Sequence, residues 1–65
     1  MITRKQILKS IGNPNLDLQK GSGYFYFVYD SGDKYEEESV MVNTVNVLSL
    51  EQWERIGEDF LKGVE

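Results

Sequence analysis

The stretch GYFYFVYDSGDKYEEESVMV, residues 23–42, decides the fold. Tyr24 to Tyr29 is an unbroken run of aromatic and β-branched side chains, the composition of a strand. Alternation puts Phe25, Phe27 and Tyr29 on one face and Tyr24, Tyr26 and Val28 on the other. Asp30-Ser31-Gly32-Asp33 supplies hairpin-turn chemistry. The chain then returns as a further strand from Tyr35 to Val42, polar and acidic at first and apolar at its end. A strand with apolar character on both faces needs cover on at least one of them, and the flanking segments must supply it.

On the N-terminal side, Asn15-Leu16-Asp17-Leu18-Gln19 alternates polar and apolar residues, the signature of a half-buried strand. Gly21-Ser22-Gly23 turns it into the aromatic strand. Further upstream, Thr3-Arg4-Lys5-Gln6 has the spacing of a capping box, with Ile2 and Ile7 as its hydrophobic staple. Ile7, Leu8 and Ile11 share a helical face, and Gly12 followed by Asn13-Pro14 stops the helix, which is expected over residues 4–11.

On the C-terminal side, VNTVNVL (residues 42–48) is β-branched and either extends the third strand or makes a short fourth one. Ser49-Leu50-Glu51-Gln52 is a second capping box, with Leu48 and Trp53 as staple. Leu50, Trp53, Ile56, Gly57, Phe60, Leu61 and Val64 then recur at helical spacing, leaving Glu51, Glu54, Arg55, Glu58, Asp59 and Lys62 for the outer face. The expected fold is α+β in the order α-β-β-β-α. It has a three-stranded antiparallel sheet, four-stranded in the alternative, with both helices on its Phe25/Phe27/Leu16/Leu18 face. Residues 1–65 form one small domain.

The 65-residue chain contains no cysteine and no histidine. The commonest general base, the thiol nucleophile and the usual zinc ligands are therefore missing. A domain this small rarely encloses a pocket able to perturb its carboxyl groups. The expectation is a protein that is not an enzyme and has no catalytic, cofactor-binding or metal-binding residues. DSGDKYEEE lacks the ligand spacing of an EF-hand, and KGSG lacks the distal part of a P-loop. No apolar run is long enough for a membrane span, and the N-terminus lacks the apolar core of a signal peptide. A cytoplasmic protein is expected.

Charge is unevenly spread over the net −4. Residues 1–20 hold four basic groups against Asp17, net +3, and residues 21–65 hold three basic against ten acidic, net −7. An acidic body favours basic partner surfaces and argues against nucleic acid. The aromatic strand also departs from the RNA-recognition pattern. Tyr26 stands where glycine or alanine belongs, Asp30 where an aromatic belongs, and Gly23 and Tyr24 where the basic residue and glycine belong. Only Arg4, Lys5 and Lys9 on the first helix offer phosphate contacts.

NPNL, GYFYFVYD and LSLEQW together resemble a pattern in short, mostly uncharacterised proteins of bacteriophages and other bacterial mobile elements, over about residues 13–60. The resemblance carries over no site residue. It implies a setting, the cytoplasm of a bacterial host, and a role in binding host machinery, with anti-defence inhibition or nucleic-acid mimicry among the roles implied. The leading expectation is a non-enzymatic acidic interaction protein that binds, and modulates or inhibits, a host protein with a basic surface. Tyr24, Tyr26, Asp30, Asp33, Glu36, Glu37 and Glu38 are the candidate partner-binding residues. Which glutamates share a face with the tyrosines depends on hairpin register, because a one-residue slip exchanges the faces. Two alternatives stand beside it: a nucleic-acid-associated regulator using the basic first helix, and a homo-oligomeric structural component, such as a homodimer through the tyrosine face.

Overall fold

The computed structural model describes residues 1–64. A first helix, α1 (Arg4–Ile11), leads into three strands, β1 (Leu16–Lys20), β2 (Phe25–Asp30) and β3 (Tyr35–Val40). A 3₁₀ turn (Val45–Val47) and a second helix, α2 (Leu50–Val64), follow. The strands form one antiparallel sheet in the order β1-β2-β3, so the aromatic strand lies at the centre. The fold is α+β in the order expected.

Both capping boxes form. The Gln6 amide donates to the Thr3 hydroxyl at 3.2 Å, and the Thr3 amide donates to Gln6 Oε1 at 2.9 Å. Ser49 and Gln52 repeat the exchange at 3.2 and 2.8 Å. Each box satisfies two of the donors that a helix start leaves without an internal partner. Gly12 closes α1 in the left-handed conformation, its amide donating to the Leu8 carbonyl at 2.9 Å.

The segment VNTVNVL departs from the sequence reading. β3 ends at Val40, and residues 45–47 coil into a 3₁₀ turn in place of a fourth strand. Two bonds explain the choice. The Thr44 hydroxyl caps the turn by accepting from the Asn46 amide at 3.1 Å. The Val45 carbonyl then accepts from the buried indole N–H of Trp53 at 2.8 Å. A buried indole N–H needs an acceptor, and the turn delivers one where an extended strand would carry the carbonyl away.

α1 packs on β1, α2 on β2, and the helices pack on each other. Between them lies one core containing Ile7, Leu16, Leu18, Phe25, Phe27, Tyr29, Trp53, Phe60, Leu61 and Val64. Trp53 and Phe27 are both 0% exposed. The Trp53 ring meets Phe25 and Phe27 edge-on, at centroid distances of 5.9 and 6.0 Å. Phe60 stacks on Phe27 from the next turns of the helix, at 6.3 Å. Such offset and edge-on arrangements are those that aromatic quadrupoles favour. Gly57 faces Ile11 of α1 and the sheet at close range: a Cβ there would lie 2.4 Å from Ile11 Cδ1 and 3.4 Å from the Phe27 ring.

Candidate interaction surface

The register settles the face on which the candidate residues within the strands lie. Asp17 pairs with Val28 and Gln19 with Tyr26 across β1 and β2. Val28 pairs with Glu37, Tyr26 with Ser39 and Asp30 with Tyr35 across β2 and β3. Phe27 pairs with Glu38 and Tyr29 with Glu36. Of the three consecutive glutamates, Glu37 therefore shares the face of Tyr26 and Val28, while Glu36 and Glu38 stand on the helix side. The candidate set is divided between two faces and does not form one cluster. Glu36 and Glu38 are nonetheless exposed, because the helices cover β1 and β2 and leave most of β3 open.

Among the described residues the outer face carries no helix. Its middle row is Asp17–Val28–Glu37, and at the ordinary spacing of about 4.8 Å between strands the two acidic positions stand roughly 10 Å apart. The neighbouring rows are Gln19–Tyr26–Ser39 on one side and Asp30–Tyr35 on the other. The strand positions of this face thus offer tyrosine and valine between three carboxylates, with no lysine or arginine among them. Tyr24 and Tyr26 lie ring to ring at 5.9 Å, and both are half-buried. Tyr24 also covers its own hairpin, since a Cβ at Gly21 would lie 2.4 Å from the Tyr24 ring.

The carboxylates are held in place. Asp17 accepts from the Leu18 amide at 2.8 Å and from the Gln19 side chain. Glu37 accepts from the Tyr35 hydroxyl at 2.5 Å. That bond is the main reason the Tyr35 hydroxyl is pushed above its ordinary 10.0, with slight desolvation and the Glu37 charge acting in the same direction. Asp30 caps the hairpin turn by accepting from the Gly32 amide at 3.0 Å. Asp33 is exposed within that turn.

The nearest lysine in sequence is engaged elsewhere. Lys34 Nζ donates to the Val64 carbonyl at 2.7 Å, placing a cation at the C-terminal end of α2 and tying the β2–β3 hairpin to that helix. Sequence reasoning did not single out Lys34; the signal was one cation in an otherwise acidic hairpin. The cations of α1 lie at the opposite edge of the sheet. There, Thr3, Arg4, Lys5, Leu8, Asp17, Leu18 and Gln19 line an open groove of about 510 Å³. Among the described residues no group of three acidic, histidine or cysteine side chains is placed to hold a metal ion. Among the same residues no helix is long and apolar enough to cross a membrane.

The chain matches no family model, and no curated protein and no solved structure is significantly similar to it. The fold and the surface define it as a small α+β protein with a two-helix layer on one face of its sheet and an uncovered tyrosine and carboxylate face on the other.

Proposed function

We propose that this protein is a non-enzymatic interaction module that binds, and modulates or inhibits, a host protein through a basic surface on that partner. The setting is the cytoplasm of a bacterium carrying a phage or mobile element. The observation that supports the reading is the Asp17–Val28–Glu37 row flanked by Tyr26 and Tyr35 on a face that no helix covers. A lysine or arginine of the partner, seated over Val28, meets a carboxylate on either side and aromatic rings above and below. Both tyrosine contact and cation–π contact are characteristic of protein interfaces. Glu37 is already oriented by the Tyr35 hydroxyl, so little of its side-chain freedom is lost on binding.

Val28→Lys tests this. Val28 is only half-buried, and its lateral neighbours are Asp17 and Glu37, so the new ammonium is paired where it stands and the fold persists. The substitution also fills the seat and cancels its charge. Tagged wild type should capture a discrete protein from nuclease-treated bacterial lysate, and the lysine variant should not. Equal capture by both would refute the outer face as the binding surface.

A further inference from the structure

The two edges of the sheet are finished differently. At β1, the Asp30 amide bonds to the Asn15 carbonyl at 3.0 Å. That phase turns the backbone groups of Leu16, Leu18 and Lys20 outward. Two of these outward amides are already used: Leu16 donates to the Asn13 carbonyl at 3.2 Å and Leu18 to the Asp17 carboxylate at 2.8 Å. At β3, the Ser31 amide bonds to the Lys34 carbonyl at 3.1 Å, which turns Tyr35, Glu37 and Ser39 outward. No partner for their amides lies among the described residues. Tyr35 to Ser39 are all exposed, and the helices pack chiefly on β1 and β2.

We infer that the β3 edge accepts an extended, basic segment of the partner as a fourth, antiparallel strand. The inference rests on the proposed function and specifies how the partner docks. An unpaired edge offers a row of backbone donors and acceptors to any extended chain. Here the side chains choose among such chains. Glu36 and Glu38 project on one side of the edge and Glu37 on the other, so three consecutive basic residues in the added strand each face one glutamate. Directly opposed unlike charges favour pairing and like charges oppose it. The same rule bars a second copy of this chain, whose own β3 would set glutamates against glutamates. The helix side of β3 is open, so the added strand meets no steric obstacle there.

The test is an NMR titration of the full chain, at low salt, with the capped peptide Val-Thr-Lys-Arg-Lys-Thr-Val. A second peptide is methylated at the arginine and both threonine nitrogens. Those three nitrogens oppose Glu37, Ser39 and Tyr35 in the antiparallel pairing, so methylation removes the ladder and keeps the charge. The amide signals of Tyr35, Glu37 and Ser39 should move saturably, their hydrogen exchange should slow about tenfold, and methylation should weaken binding about tenfold or more. Equal binding of the two peptides, or no saturable shift up to about 1 mM, overturns the inference. If Val28→Lys abolishes partner capture while the peptide leaves these amides unchanged, the outer-face reading stands and strand addition fails. If the edge amides respond but capture is insensitive to Val28→Lys, strand addition stands and the outer face is excluded.

Discussion

Gly57→Ala offers a sharp test of how the helices meet. Alanine in place of glycine inside a helix is worth about 1 kcal/mol in propensity. Against this, the new methyl would lie 2.4 Å from Ile11 Cδ1, so that methyl must swing away, while the Phe27 ring at 3.4 Å needs little adjustment. Ile11 is only partly buried against the core, and Cδ1 is the free end of its side chain. Driving it off its preferred rotamer costs about 0.5–1.5 kcal/mol. The two effects nearly cancel, and Gly57→Ala alone should change stability by less than about 1 kcal/mol. The diagnostic quantity is the coupling to Ile11→Val, which removes the clashing Cδ1. In the wild-type background, that change should cost about 0.5–1.5 kcal/mol. With alanine at 57 it should cost nothing or stabilise, giving a coupling of about 1 kcal/mol in a urea-denaturation double-mutant cycle. Additive effects would refute the close approach of α1 and α2 at Gly57.

Trp53→Ala removes a fully buried ring and its bond to Val45. Its expected cost of about 3–5 kcal/mol equals the stability of roughly 3–5 kcal/mol typical of so small a core. Circular dichroism at 25 °C should therefore show the folded population reduced to about half. Ser49→Ala should lower stability by about 1 kcal/mol in denaturant titrations, because the Gln52 amide loses its acceptor. In an NMR pH titration Tyr35 should ionise above 10.0, and Glu37→Gln should bring it down. Because the folded-state value is the raised one, this group favours folding below pH 10 and loses that contribution as pH rises through its own ionisation. Light scattering at high micromolar concentration should report a monomer; a dimer would assign the tyrosine face to self-association.

The helices and the order of elements were legible because their signals are local. Capping boxes, a glycine stop and helical periodicity each depend on residues within one or two turns, and Thr3–Gln6 and Ser49–Gln52 form the bonds their spacing implies. The aromatic strand was equally plain, since alternation alone separates Phe25 and Phe27 from Tyr26. The segment 42–48 was misread because β-branched composition competes there with a tertiary bond, and the acceptor needed by Trp53 decides. The allocation of the glutamates was not legible at all. Nothing local distinguishes Glu36 from Glu37, and only the hydrogen-bonding phase set by the two-residue turn after Ser31 places Glu37 beside Val28. The inequality of the edges was hidden for the same reason: Asp17 reads as a solvated charge until its carboxylate is seen on the Leu18 amide.

The measurement that bears most directly on the account is chemical-shift mapping of the isotope-labelled chain with the purified partner protein obtained by capture. If the partner docks on the outer face and the β3 edge, signals of Tyr26, Val28, Tyr35, Glu37 and Ser39 move together while those of α1 stay in place. Shifts centred on Arg4, Lys5 and Lys9, with the outer face and β3 unmoved, would contradict it and assign recognition to the basic helix.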